Sequence, residues 1–170
     1  MPKRGNAKDM MEAYWIGLMS SSGYRRKDLD KPIIGIVNSY TDANPAHKPF
    51  AELVKYVKEG VWSAGATPVE FGVPGPCDGM AQGAGMHHIL PQRDLIAASV
   101  ETMVSAHQFD GLVFLGSCDK IIPGMLMAAV HLDIPALFLT AGAMLPYEDG
   151  GKVYCTSDLK EAIGKFNKGE

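Results

Sequence analysis

Ile33-Ile34-Gly35-Ile36-Val37, an apolar run set between Pro32 and Asn38, decides the fold class. A short continuous apolar run bounded by turn residues reads as a strand buried on both faces, which is the habit of parallel sheets. Outward from it, the chain alternates between two periods. Phe50 to Ala64 carries Leu53, Val54, Val57, Val61 and Trp62 on one helical face, and Gly65 is a natural stop. Thr67 to Val73 reads as a second strand, Asp94 to Gln108 as a helix with Leu95, Ile96, Val100, Met103 and Val104, and Leu112 to Leu115 as a third strand. Pro123 to Leu132 reads as a helix with Met125, Leu126, Ala129 and Val130 inside, and Ala136 to Leu139 as a fourth strand. Strands alternating with helices predict a three-layer α/β/α domain with a mostly parallel sheet, and right-handed crossovers. Before the first strand lies an arm, residues 1–31, whose segment Asp9 to Met19 repeats Met10, Met11, Tyr14, Trp15, Leu18 and Met19 at helical steps. The arm's helix is expected to pack on the main body or on a partner chain.

In sheets of this kind ligands sit beyond the carboxyl ends of the strands. The loops leaving those ends are Asn38 to Pro49, Pro74 to Pro91, Gly116 to Pro123 and Thr140 to Gly151. Two of them repeat one chemistry. Gly75-Pro76-Cys77-Asp78-Gly79 follows the second strand and Gly116-Ser117-Cys118-Asp119-Lys120 follows the third. Thiolate suits iron–sulfur clusters and carboxylate suits magnesium, so such loops could hold two kinds of metal. The plainer alternative is a pair of solvated turns with packed cysteines and a surface ion pair.

Other chemistries lack their motifs. Gly83-Ala84-Gly85 does not directly follow a strand, and the first strand-to-helix turn, Asn38 to Pro45, has no glycine, which argues against a dinucleotide site. The histidines, His47, His87, His88, His107 and His131, show no zinc spacing. His107 and His131 fall in last helical turns, where a dipole contact is the ordinary explanation. His47 stands in the first loop, where a ligand contact and a structural role are both open. A formal charge of −3 points to neither nucleic acid nor an anionic membrane as partner. The first 30 residues contain no apolar run long enough for a signal peptide, and no stretch of the chain suits a spanning helix. Three cysteines at wide spacing, Cys77, Cys118 and Cys155, make a poor disulfide framework and read as reduced thiols of a cytoplasmic protein.

From Lys31 to Met144 the sequence resembles the dihydroxy-acid dehydratase and phosphogluconate dehydratase family. The stretches that carry the likeness are Pro32 to Ser39, Cys77-Asp78-Gly79-Met80-Ala81-Gln82-Gly83, Gly85-Met86, Leu90 to Glu101, and Ser117 to Ala128. The resemblance implies a hydro-lyase that turns a 2,3-dihydroxy carboxylic acid into a 2-keto acid, as in branched-chain amino acid biosynthesis. A sugar-acid (aldonate or phosphogluconate) dehydratase and a non-catalytic subunit or fragment of such an enzyme are the alternatives. It implies that Cys118 ligates an iron–sulfur cluster (2Fe-2S or 4Fe-4S), and that Asp78, Asp119 and a carbamylated Lys120 bind Mg2+. Family members with a three-cysteine cluster carry a cysteine where Ala46 stands here, so the cluster type is open and Cys77 is a candidate further ligand.

Residues 32–170 correspond to the amino-terminal part of the family's α/β domain. The family's later cluster cysteine, a further magnesium-binding glutamate and the serine base of a carboxyl-terminal barrel domain fall beyond Glu170, and Cys155 comes too early to match that later cysteine. No catalytic base is therefore expected within the chain, and the substrate-binding residues are not specified. The isolated chain is expected not to dehydrate 2,3-dihydroxyisovalerate and to leave apolar surface uncovered. The expected assembly is a homo-oligomer or a complex with a complementary chain.

Overall fold

A computed structural model describes residues 10–142 and 144–169. In chain order the elements are α1 (Met10–Ser21), α2 (Arg26–Leu29), β1 (Ile33–Asn38), α3 (Phe50–Ser63), β2 (Thr67–Gly72), a short 3-10 helix (Gly83–His88), α4 (Gln92–His107), β3 (Gly111–Gly116), α5 (Ile121–Leu132), β4 (Ala136–Thr140), β5 (Tyr147–Asp149), β6 (Lys152–Tyr154) and α6 (Thr156–Lys168). The first four strands form one parallel sheet in the order β2-β1-β3-β4. The fold is the expected α/β domain.

Strand periodicity sorts the core into two layers, because alternate residues point to opposite faces. On one face Ile33 and Val37 of β1, Phe71 of β2, Leu112 and Phe114 of β3 and Phe138 of β4 pack with α4 and α5 residues such as Ile96, Val100, Ile121 and Met125. On the other, Ile36 and Leu115 pack with Phe50 and Val54 of α3. The strand order explains this division. The chain steps from β1 outward to β2, then returns past β1 to β3 and continues to β4. Crossovers of one hand therefore put α3 on one face and α4 and α5 on the other. The reversal makes the gap between the carboxyl ends of β1 and β3 the topological switch point.

Gly35 and Gly124 permit close approach. A Cβ on Gly35 would lie 2.7 Å from Phe109 Cδ2, and one on Gly124 would lie 2.9 Å from the Arg93 carbonyl oxygen. Gly124 thus sets the contact of α5 against α4, and with it the phase of α5. The buried face is Ile121, Gly124, Met125 and Ala128. Leu126 and Val130, expected inside, are 45% and 76% exposed, because they lie away from that contact. Leu95 likewise faces outward at the start of α4. The helix begins at Ile121, ahead of Pro123, which sits in the first turn where its missing N–H is no loss.

The edges depart further from expectation. Of α1 only Trp15 packs against the main core, while Met10, Met11, Tyr14 and Leu18 are exposed. The Thr140–Gly151 segment is partly ordered as β5, which pairs antiparallel with β6. No residue of β4, β5, β6 or α6 is buried. Leu137, Ile163 and Phe166 are among the large apolar side chains left uncovered. No helix among the described residues is long and apolar enough to cross a membrane.

The corner before β1 is held by a buried carboxylate. Asp28 accepts hydrogen bonds from Arg25 Nε at 2.8 Å and Lys31 Nζ at 3.3 Å, while its backbone carbonyl takes the Thr67 hydroxyl. The Arg25 hydrogen bond, opposed by burial and aided by Lys31, holds the Asp28 carboxyl below its ordinary value. A carboxyl depressed in the folded state adds stability that is full above its unfolded value, about 3.9, and is lost as pH falls through the folded one. Asp28→Asn is therefore expected to destabilise the protein at pH 7 and progressively less toward pH 3. Urea unfolding across that range checks it; a pH-independent difference from the parent protein would contradict the assignment.

Candidate metal centre

The loops after β1, β2 and β3 meet at the switch point. Lys120 is the residue from which α5 starts, with its backbone at the positive end of that helix. Two carboxylates face its ammonium. Lys120 Nζ donates to Asp78 Oδ2 at 2.5 Å and to Asp119 Oδ2 at 2.8 Å. Asp78 arrives from the loop after β2, 42 residues earlier in the chain. The bond to Asp119, then that to Asp78, outweighs desolvation and raises the Lys120 ammonium above its usual range. Lys120 in turn holds Asp119 below the usual carboxylate range. The structure therefore brings together Asp78, Asp119 and Lys120, the three residues proposed from sequence for one ion.

The ammonium occupies the point where the two carboxylates meet. Two carboxylate oxygens from different strand ends already converge on one positive centre, which is what a hard divalent ion requires. The donor set fits magnesium in type, with Lys120 needing conversion to an oxygen donor. Asp119 is the open side of the arrangement, with its side chain 73% exposed against 28% for Asp78.

Cys118, one residue earlier, sits in a different setting. Its backbone is left-handed at φ 69°, which costs a residue other than glycine about 1–3 kcal/mol. Its thiol lies 3.5 Å from Asn44 Nδ2 and 3.7 Å from the Ser117 hydroxyl. The neighbouring His47 imidazole is the largest of the effects that hold the thiol below its ordinary pKa, and burial opposes it. For His47, burial pulls downward, but the nearby Cys118 thiol and the Ser39 carbonyl outweigh it and leave the imidazole raised. The ring is fully buried, with Nδ1 2.8 Å from the Ser39 carbonyl and Nε2 3.2 Å from that of Ser117. Both neighbours are acceptors, so the doubly protonated ring satisfies them best.

The soft ligand expected at Cys118 thus has surroundings suited to a thiolate. Cys77 is half-buried, and no hydrogen bond, ion pair or disulfide joins it to Cys118 among the described residues. No group of three or more His, Cys, Asp and Glu side chains among the described residues is placed to hold a metal. One thiolate fits as one ligand of a cluster, not as a whole ligand set. Ala46 donates its backbone N–H to Asn44 Oδ1 and has no donor to offer a metal. Cys155 is exposed ahead of α6, where its backbone N–H donates to Asp158 and its thiol lies 3.0 Å from the Ser157 hydroxyl.

Of the histidines, His131 pairs with Glu101 at 2.8 Å and His107 stacks on Phe109, so neither belongs to the centre. Sequence reasoning passed over Asn44 and Ser117. Their only signal was position, Asn44 before Pro45 in the first loop and Ser117 beside the cysteine; polar loop residues are too common for that to single them out.

A family model described as "Dihydroxy-acid/6-phosphogluconate dehydratase N-terminal" matches residues 31–170. The chain is 51% identical over 154 residues to a dihydroxy-acid dehydratase of Thermodesulfovibrio yellowstonii, covering 89% of this chain and 28% of that protein. It is 49% identical over 154 residues to that of Halothermothrix orenii and 48% identical over 155 to that of Archaeoglobus fulgidus, in each case over 90% of this chain and 28% of the relative. The chain thus spans 28% of the length of these curated relatives. With 140 of its 170 residues inside the family match (31 to 170), the chain belongs to the dihydroxy-acid/6-phosphogluconate dehydratase family, in the part described as N-terminal.

Proposed function

We propose that this chain supplies part of the metal centre of a hydro-lyase that converts a 2,3-dihydroxy carboxylic acid to a 2-keto acid, in branched-chain amino acid biosynthesis. The observation that carries the reading is the convergence of Asp78 and Asp119 on Lys120 from the ends of two parallel strands. The relatives' name, dihydroxy-acid dehydratase, favours this substrate class over sugar acids.

In this reading Asp78, Asp119 and Lys120 hold Mg2+, and Cys118 is one thiolate ligand of an iron–sulfur cluster. When bound, the two metals supply Lewis acidity toward the departing C3 hydroxyl and an anchor for the substrate carboxylate and C2 oxygen. The chain's own task is placement. Asp78 and Asp119 present oxygen donors from separate strand ends. Lys120, once its neutral amine has added CO2 and released a proton, presents a carbamate oxygen in place of a positive charge. Asp119 and Lys120 follow Cys118 directly in the loop after β3, and Asp78 meets Lys120 from the loop after β2. No side chain of this centre is assigned as the base that takes the C2 proton. The reduced thiols suit a cytoplasmic setting.

The test uses the protein expressed from its whole reading frame and reconstituted anaerobically with iron, sulfide and magnesium. Keto acid should form from 2,3-dihydroxyisovalerate and not from 6-phosphogluconate, and Asp119→Asn should weaken magnesium binding. Turnover of the sugar acid alone would transfer the assignment to that branch of the family. No turnover of either, with wild-type magnesium affinity in Asp119→Asn, would overturn the reading.

A further inference from the structure

Two buried side chains of the first loop remain without a role in the reading above. Asn44 and His47 are both fully buried, although loops of this kind ordinarily keep their polar groups in water. The Asn44 amide has only one sensible orientation. Its Oδ1 accepts the backbone N–H of Ala46 at 3.1 Å, so its NH2 group must face the other way. There it donates to the Gly75 carbonyl at 3.1 Å and points a second N–H at Cys118 Sγ, 3.5 Å distant. The longer contact of that sulfur with Oδ1, 4.0 Å, is the weaker of the two.

His47 braces the same region from the other side. Its ring spans the Ser39 carbonyl at the end of β1 and the Ser117 carbonyl at the end of β3. Phe50 packs edge-on against it, with ring centroids 5.4 Å apart. There is no slack: a Cβ on Gly75 would lie 2.5 Å from the Ser39 carbonyl and 2.8 Å from His47 Nδ1. The tie to Ser117 falls one residue before the left-handed turn at Cys118, the most costly backbone conformation of the site. The three strand-end loops are thus joined through these two side chains.

We propose that Asn44 and His47 are positioning residues for the Cys118 sulfur, Asn44 by directing an N–H at it and His47 by fixing the Ser117 carbonyl that precedes it. The proposal rests on the reading of Cys118 as a cluster ligand. An N–H directed at a ligating sulfur draws electron density from it and raises the potential of the cluster it serves. These two residues therefore tune a centre that neither ligates.

The test compares Asn44→Ser, His47→Gln and His47→Asn with the parent in the whole protein, reconstituted anaerobically. The readouts are the cluster's midpoint potential, iron per chain, and the melting temperature of the metal-free protein. Serine is too short to reach Cys118, so Asn44→Ser should hold a cluster of lower midpoint potential. Glutamine keeps a donor near the Nε2 position and so the tie to Ser117; asparagine keeps only a donor near the Nδ1 position. His47→Gln should therefore stay near the parent, and His47→Asn should bind less iron or shift in potential. Folded Asn44→Ser and His47→Asn proteins with parental potential and iron content would overturn the proposal. Should Asn44→Ser fail to fold, the histidine pair decides, and equal behaviour of Gln and Asn overturns it. A parent protein that takes up no cluster overturns the iron–sulfur reading itself, and this proposal with it; a loaded parent with silent variants overturns the proposal alone.

Discussion

Lys120→Met is expected to lower dehydratase turnover of the whole protein by about 100-fold or more, above the loss usual for groups that only support a metal ligand. The argument begins with charge. Asp78 and Asp119 meet at a single cation, the Lys120 ammonium. Methionine keeps the unbranched stem and removes the amine, leaving two carboxylates facing one another without a third donor. Lys120→Arg separates two explanations. Arginine restores a permanent positive charge but has no primary amine to take up CO2. If Lys120 serves as a cation, arginine rescues; if it serves as a carbamate, arginine is as inactive as methionine. The second result is expected, together with weakened magnesium binding by titration calorimetry in both variants. Arginine activity near that of the parent would remove the carbamate from the reading. The contribution of the Lys120 ion pairs to folding is a separate and smaller matter, because the Asp119 side chain is largely in water.

Phe114→Ala is expected to destabilise the metal-free protein by about 3–5 kcal/mol, the usual cost of removing a buried phenylalanine from a packed core. Phe114 is fully buried in the middle of β3 and stacks on Phe138 of β4 with ring centroids 4.5 Å apart. Its strand leads directly into Ser117, Cys118 and Asp119, so the same core that stabilises the domain fixes where the loop after β3 begins. Leu137→Ala is the control. Leu137 is 64% exposed on the neighbouring strand, and its loss should change stability by no more than about 0.5 kcal/mol. Denaturant midpoints for the two variants decide the point. Similar losses would mean that the outer face of β4 is packed in solution as tightly as the inner one.

The sequence by itself determined the α/β class, the four strands of the sheet, and the two Cys-Asp loops. These follow from local rules: an apolar run of strand length, a helical period of near 3.6, and polar residues placed just after a strand. Gly65 ending α3 and Gly23 beyond α1 have positive φ, and both stops were readable because glycine adopts that conformation without penalty. Tertiary structure decided what depends on distance in space. The phase of α5, and hence the exposure of Leu126 and Val130, is set by the contact of Gly124 with the backbone of α4. The exposure of Met10, Met11 and Tyr14 follows from where α1 meets the body, not from its helical period. At the candidate metal centre, the family resemblance pointed to Asp78, Asp119 and Lys120 for one ion and to Cys118 for a cluster. Only the strand order β2-β1-β3-β4 sets the loops after β2 and β3 on either side of the loop after β1. That order makes Asn44 and His47 the bridge between them, because a side chain's partners across a parallel sheet are fixed by which strands are neighbours, and nothing local in the chain encodes that.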